Sequence, residues 1–313
     1  FLKSSSLYKE YLKSCIVYIN PKIILTYIHN NEILWDLCKD INANFYIFQN
    51  GYCSPTDPIP KNSNTSKNTI FFTLTRERSY KIRSYGVASF PFGSVQSNSI
   101  SKTKLISKKR IVFISQFRYA NNEGKRNFNL NNLSYEQCYF YDYELLNIVD
   151  EFSKNFNLEL YFMGSSAKEK NIKSEQDFFK LKNRNIKYIK RFISLKDKFN
   201  FLDNSYLIVG IDSTLLYECL GRDIQTFICS CRGYNEYNYS IRPFLDSIPN
   251  NASGEFWTNK FDKNLILKIL TEMHLNKTKN KRNSKNFSEE VPYYNPINLK
   301  MIDQLLKTTK KSI

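Results

Sequence analysis

The stretch "SYLIVGIDSTLLYECLGRDIQTFICSCRG" (Ser205–Gly233) decides the fold. "YLIVGID" is an apolar run of strand length, and "IQTFICS" is another. Between them lie a small polar corner, Asp212-Ser213-Thr214, and a short helical stretch carrying Glu218. Strand, helix and strand in close succession make a β/α unit, whose strands run parallel. Ligands of open parallel sheets sit beyond the C-terminal ends of the strands. Asp212 is delivered to such an end, and Ser213 and Thr214 occupy the first turn of the helix that follows. Unpaired backbone N–H groups and the helix dipole there favour an anion, and hydroxyls add donors. Glu218, one helical turn further on, is placed to accept hydrogen bonds from a ribose diol. The competing reading is a capped helix, with Asp212 or Ser213 as N-cap and Glu218 as a surface acid.

The same alternation extends in both directions. Upstream, "IVFISQFR", "LELYFMGSS" and "IKYIKRF" read as strands. Tyr141 to Phe156, "SEQDFFKLKN" and "SLKDKFNFLDNS" read as helices between them. Earlier still, "LYKEYLKSCIVYI" is an amphipathic helix stopped by Pro21, and "KIILTYI" a short buried strand. "NNEILWDLCKDI" is a helix with Asn30 or Asn31 as N-cap, and "NFYIFQNG" is a strand ending at Gly51. A polar, Pro-rich loop spans Tyr52 to Thr69, "IFFTLT" resumes a strand, and "GVASFPFGSVQSNSI" holds a short strand and a Gly93-Ser94 turn. The charged stretch "SKTKLISKKR" (Ser101 to Arg110) has no apolar face and reads as a connection between domains.

The expectation is therefore an α/β protein of two Rossmann-like β/α lobes with a cleft between them. Its boundaries are 1–105, 106–275, and 276–313 for a basic loop and C-terminal helix. About three strands precede the connection, few for a self-standing sheet, so the first lobe reads as incomplete. The sequence begins without a Met and shows no signal peptide pattern.

Composition narrows the class. The chain has 313 residues, 42% of them hydrophobic and 15% aromatic, which fits globular domains rather than disorder. Apolar runs fall short of the roughly 18 residues of a membrane helix. The net charge of +17 calls for an acidic partner, or reflects a bias towards Lys, Asn, Ile, Tyr and Phe. Aromatics fall on apolar faces rather than among the basic residues, so no nucleic acid is expected as a partner. The seven cysteines are scattered, with Cys229-Ser230-Cys231 the one close pair, and fit reduced thiols in a cytoplasm. No metal-ligand spacing occurs, so neither a metal nor a cofactor is expected.

Other candidates stand at predicted strand ends. Gln49, Asn50 and Gly51 close a first-lobe strand, where amides suit sugar hydroxyls; an Asn-Gly turn is the plainer reading. Ser115, Gln116 and Arg118 follow the first strand of the second lobe, Gly164 the next, and Arg232 a later one. An arginine fork matches phosphate oxygens. His29 follows a strand and is a candidate general base, or a plain loop histidine.

The blocks "PKIILTYIHNNEILWDLCKDINANFYIFQNG", "FGSVQSN", "IVFISQFR", "IDSTLLYECLGRDIQTFICSCRG" and "GEFWTN" occur in an order that resembles a family of bacterial surface-carbohydrate (capsule or O-antigen) biosynthesis proteins. That family is similar to GT-B glycosyltransferases related to Kdo and CMP-nonulosonate transferases. The resemblance covers residues 10 to 270. It implies a GT-B-like, metal-independent glycosyltransferase, with an acceptor-side first lobe and a nucleotide-sugar-binding second lobe. It implies transfer of an acidic sugar from a CMP donor to a surface polysaccharide or lipid-linked glycan. Ser213, Thr214, Glu218, Ser115, Gln116, Arg118, Gly164 and Arg232 would then hold the donor. Gln49 and Gly51 would face the acceptor, and Asp212, Asn50 and His29 would serve catalysis. Two departures stand out: Leu216 replaces an expected Gly, and "QNGYC" lacks an expected Arg. The second leaves room for a degenerate transferase. A CDP-alcohol phosphotransferase and a basic nucleic-acid binder are the alternatives. The expected location is the cytoplasm, with peripheral contact between Lys/Arg clusters and anionic inner-membrane lipid.

Overall fold

The computed structural model describes residues 4–29, 31–51, 68–103, 109–117, 125–128, 131–192, 194–211, 213–231, 253–275, 294–301 and 303–304. They form two compact units. One contains the described residues up to Ser99 together with 294–304; the other contains those from Ile100 to 275.

The first unit runs α1 (Ser4–Ile19), β1 (Ile23–Thr26), α2 (Glu32–Asp40), β2 (Asn44–Phe48), β3 (Thr69–Thr73), α3 (Arg76–Ser84), β4 (Ala88–Pro91) and α4 (Val95–Asn98). Its four strands lie side by side in chain order, all parallel. Four strands stand where about three were expected. Helix α2 starts where Asn31 Oδ1 accepts the Ile33 N–H at 2.9 Å, the capping geometry its sequence implied. Its buried face sets Trp35 edge-on against Phe71 of β3, ring centroids 5.6 Å apart. The other face of the sheet is an aromatic cluster of Tyr46, Phe48, Phe72 and Phe92.

That cluster is completed from far along the chain. Leu299 and Met301, in a helical stretch over 297–301, pack against it. Asn298 Nδ2 donates to the Phe92 carbonyl at 2.7 Å, and Asn295 N–H to Asn98 Oδ1 at 2.8 Å. The described part of 276–313, read from the sequence as a basic loop and C-terminal helix, groups with the first unit. The sequence pattern hid α3 as well. Its inward face is Arg78, Ser79 and Ile82, which shows no apolar stripe.

The second unit runs β5 (Arg110–Ile114), β6 (Lys125–Phe128), β7 (Asn131–Ser134), α5 (Tyr135–Asn155), β8 (Glu159–Met163), α6 (Glu169–Phe178), β9 (Lys187–Ile189), α7 (Leu195–Asp203), β10 (Leu207–Gly210), α8 (Thr214–Gly221), β11 (Thr226–Cys229), β12 (Trp257–Thr258) and α9 (Lys263–Leu275). Strands β6 and β7 form an antiparallel hairpin. The other six make one parallel sheet in the order β12-β11-β10-β5-β8-β9. The chain moves outward from β5 through β8 to β9. It then returns to β10 on the other side of β5 and moves outward again. The order reverses between β5 and β10, and such a reversal opens a crevice beyond the strand ends.

The expected connection over 101–110 begins differently. The unit boundary falls at Ser99/Ile100, and the first residues past it are pinned to the second unit. Arg222, at the end of α8, makes a two-pronged ion pair with Asp203 at the end of α7, at 2.8 and 2.6 Å. Both side chains are buried, and Arg222 Nη1 also donates to the Ile100 carbonyl at 3.0 Å. Asp203 accepts the Thr103 N–H at 3.1 Å, and Lys102 pairs with Asp223 at 2.6 Å. Among the described residues no helix is long and apolar enough to cross a membrane.

Candidate functional site

The site is built where β5 and β10 part. Ile114 and Gly210 are register partners, so the chain beyond each emerges side by side. On the β10 side Ser213 is the N-cap of α8, in extended backbone with φ −71° and ψ 137°. Its Oγ accepts the Leu215 N–H at 3.3 Å, and its carbonyl the Leu216 N–H at 2.9 Å. The Ser213 O–H proton can still donate outward. Ser213, Thr214 and Leu215 are partly exposed, whereas Leu216 to Leu220 are buried. The helix therefore offers its N-terminal turn to solvent and sinks its body into the lobe.

Glu218 lies on that sunken part, with little solvent exposure. Lys198 of α7 carries the opposite charge nearby. Burial pulls the Lys198 ammonium below its ordinary value, and the Glu218 carboxylate pulls it back up. Glu218 is accordingly no surface acid. Leu216, bulkier than the expected Gly, is seated in the space left by Gly210. A Cβ at Gly210 would lie 3.0 Å from Leu216 Cδ1 and 3.1 Å from the Ile114 carbonyl. Asp212, Arg118 and Arg232 fall outside the described residues.

On the β5 side the structure brings together residues expected to touch a donor, and shows what they touch within the protein. Ser115 Oγ donates to Glu175 Oε1 at 2.7 Å and accepts the Phe117 N–H at 3.1 Å. Its single proton is therefore spent within the protein, on Glu175. Gln116, half-buried, stands in the middle of that turn. Gly164 is small because its space is filled: a Cβ would meet Tyr188 Oη at 2.1 Å and Glu175 Oε2 at 2.8 Å. Glu175 of α6, which the sequence reading missed, is the hub of this arrangement. It lies in a helix whose acids look like solvated charges, and nothing in its spacing marks it as buried.

In the first unit His29, Gln49, Asn50 and Gly51 do come together at the ends of β1 and β2. His29 Nδ1 accepts the Asn50 N–H at 3.2 Å, and the His29 carbonyl accepts Trp35 Nε1–H at 2.9 Å. With Nδ1 accepting, a neutral His29 carries its proton on Nε2. In that tautomer the ring braces the Asn50 turn through Nδ1 and presents Nε2–H as a donor. Gln49 is spanned by backbone groups: Oε1 accepts the Leu74 N–H at 3.0 Å and Nε2 donates to the Gly51 carbonyl at 2.8 Å. It ties the end of β2 to that of β3, while Asn50 is exposed. Among the described residues no group of His, Cys, Asp and Glu is arranged to hold a metal.

Residues 46–310 match a protein-family model described as "putative O-antigen biosynthesis protein". No curated protein matches the chain. Among solved structures, a "putative UDP-N-acetylglucosamine 2-epimerase" from Listeria monocytogenes aligns with TM-score 0.60 at 15% identity, over 98% of this chain and 80% of that one. The S. aureus MnaA-UDP co-structure aligns with TM-score 0.58 at 14% identity, over 99% of this chain and 80% of that one. The UDP-GlcNAc 2-epimerase of Methanocaldococcus jannaschii, in complex with UDP-GlcNAc and UDP, gives 0.55 at 13% identity, over 96% and 79%. At such identities the likeness is one of fold. It bears out the expected GT-B-like architecture of two Rossmann-like, parallel-sheet lobes.

Proposed function

The chain belongs to the O-antigen biosynthesis family whose model it matches, and on that premise we propose that it is a glycosyltransferase using a nucleotide sugar. The observation that carries the reading is the β5/β10 reversal, with the Ser213-capped turn of α8 exposed at its mouth and Glu218 sunk one turn below. In this reading the donor's phosphates rest on the N–H groups of that turn and on the Ser213 and Thr214 hydroxyls. Glu218 accepts hydrogen bonds from the ribose diol, and Lys198 steadies its charge. Arg118 and Arg232, by their places in the sequence after β5 and β11, offset charge on the leaving phosphate. The acceptor is a glycan or a lipid-linked glycan, in keeping with the family. The CMP-linked acidic sugar implied by the sequence blocks remains one donor to be tested. The nucleotides named for the similar folds add uridine-linked ones.

The test is a melting-temperature panel of CMP, CDP, UDP and GDP, since a ligand that binds the folded state alone raises the melting temperature by mass action. One nucleotide is expected to stabilise the protein, and Glu218→Ala to abolish that effect. The pair Ser213→Ala with Thr214→Ala is expected to weaken the nucleotide more than its nucleoside. Indifference to all four nucleotides would sink the reading. Conversion of a nucleotide sugar to its epimer with no acceptor present would replace transfer by epimerisation.

A further inference from the structure

Glu175 is a fully buried carboxyl that the proposed reaction does not use. Burying a carboxylate costs several kcal/mol unless its oxygens are well paired. Here they are. Oε1 accepts from Ser115 Oγ at 2.7 Å and from the Ser165 N–H at 3.1 Å, and Oε2 from Tyr188 Oη at 2.9 Å. These donors come from just past the ends of β5 and β8 and from within β9, three neighbouring strands. Two of them hold the same turn. Ser115 Oγ accepts the Phe117 N–H, and Ser165 Oγ donates to the Phe117 carbonyl. The turn Ser115-Gln116-Phe117 is thus clamped at both polar groups of its last residue, and both clamps lead to Glu175. It leaves the sheet beside the strand end that feeds the Ser213 cap.

We propose that Glu175 is a positioning residue for the nucleotide crevice, fixing the β5 turn that forms the wall opposite the α8 cap. The inference rests on the reading of that crevice as a nucleotide site. Packing alone does not call for an ionisable group there, because an amide of the same shape fills the same space at less desolvation cost. A carboxyl adds a proton. Ionised, it accepts from all three donors; protonated, it must donate to the Ser115 or the Tyr188 oxygen and turn that bond around, since the Ser165 amide cannot accept. The groups facing it are the Ser115 hydroxyl from β5, the Ser165 amide after β8 and the Tyr188 phenol from β9. Burial and the adjacent carboxylate push the Tyr188 phenol well above its ordinary range, so it stays a neutral donor. The protonation state of Glu175 therefore sets the shape of the turn, and nucleotide affinity carries its titration.

The experiment measures affinity for the stabilising nucleotide from pH 5 to 8 in the wild type, Glu175→Gln and Tyr188→Phe. Hydrogen exchange is read in peptides covering 111–117 and 160–166. The wild type is expected to show a one-proton step in affinity above the ordinary carboxylate range. Glu175→Gln should erase the step and weaken binding about tenfold, the order of one charge-assisted hydrogen bond. Tyr188→Phe should move the step to higher pH, because the ionised form loses a donor. Glu175→Gln with wild-type affinity and an unchanged profile would overturn the inference. Should that variant not fold, a step unmoved in Tyr188→Phe does so instead. If the wild type binds none of the nucleotides, the proposed function falls and exchange decides the positioning role alone. Faster exchange of the Phe117 and Ser165 amides in either variant supports it, and unchanged exchange refutes it.

Discussion

Glu218 and Glu175 show how two acids of similar appearance part company once folded. Glu218 could be singled out in the sequence, because it follows a strand end and a capped turn, although its burial could not. Glu175 was not, because its partners Ser115, Ser165 and Tyr188 are brought in by the sheet order and not by local spacing. Burial raises its carboxyl above the ordinary value, against four hydrogen-bond contributions that lower it. The folded state then binds the proton more tightly than the unfolded chain does. The resulting stability is full in acid and is lost as pH rises from the ordinary carboxylate value through the raised one. Glu175→Gln is expected to flatten that decline in melting temperature against pH. A decline of wild-type slope in the variant would contradict it.

At the scale of the element, the strands and the helices with apolar stripes were readable, and the polar ones were not. Helix α3 buries an arginine and a serine beside a single isoleucine, so periodicity says nothing there. The 101–110 connection looked exposed because its partners lie far along the chain. Thr103 and Ile100 are held by Asp203 and Arg222, the pair that closes α7 on α8. Arg222 also lies over the Phe199 ring at 4.7 Å, so the guanidinium is enclosed on several sides. Removing one member of such a pair leaves a buried charge without its partner. Asp203→Ala is expected to cost about 3–5 kcal/mol in a denaturant melt, far more than the exposed pairs such as Lys187–Glu159 would. A loss below about 1 kcal/mol would mean that the pair is worth no more than a surface one.

For the whole molecule, alternation of strand and helix sufficed for the class of fold, but the strand order, with its reversal between β5 and β10, depends on pairing between distant segments that no local pattern records. The return of 294–304 to the first unit had no local signal. Net charge is a molecular property too. A charge of +17 attracts any polyanion at low salt, with an affinity that falls steeply as salt rises, because binding releases counterions. A mononucleotide in a built crevice releases few. Between about 50 and 200 mM salt, polynucleotide binding is expected to fall by orders of magnitude while mononucleotide binding changes by only a few-fold. Parallel loss of both would tie the nucleotide to the surface charge and not to the crevice.

The late completion of the first unit also bears on how the protein is made. Asn98 waits for Asn295, 197 residues later in synthesis. At about 5–20 residues per second that is roughly 10–40 s during which Phe48, Phe72 and Phe92 lack Leu299 and Met301 above them. The second unit, whose β5 needs nothing beyond β12 to finish its sheet, is whole before then. Of the two units, the one begun earlier is therefore the later to close, and its aromatic face is the surface a nascent chain must keep from its neighbours on the ribosome.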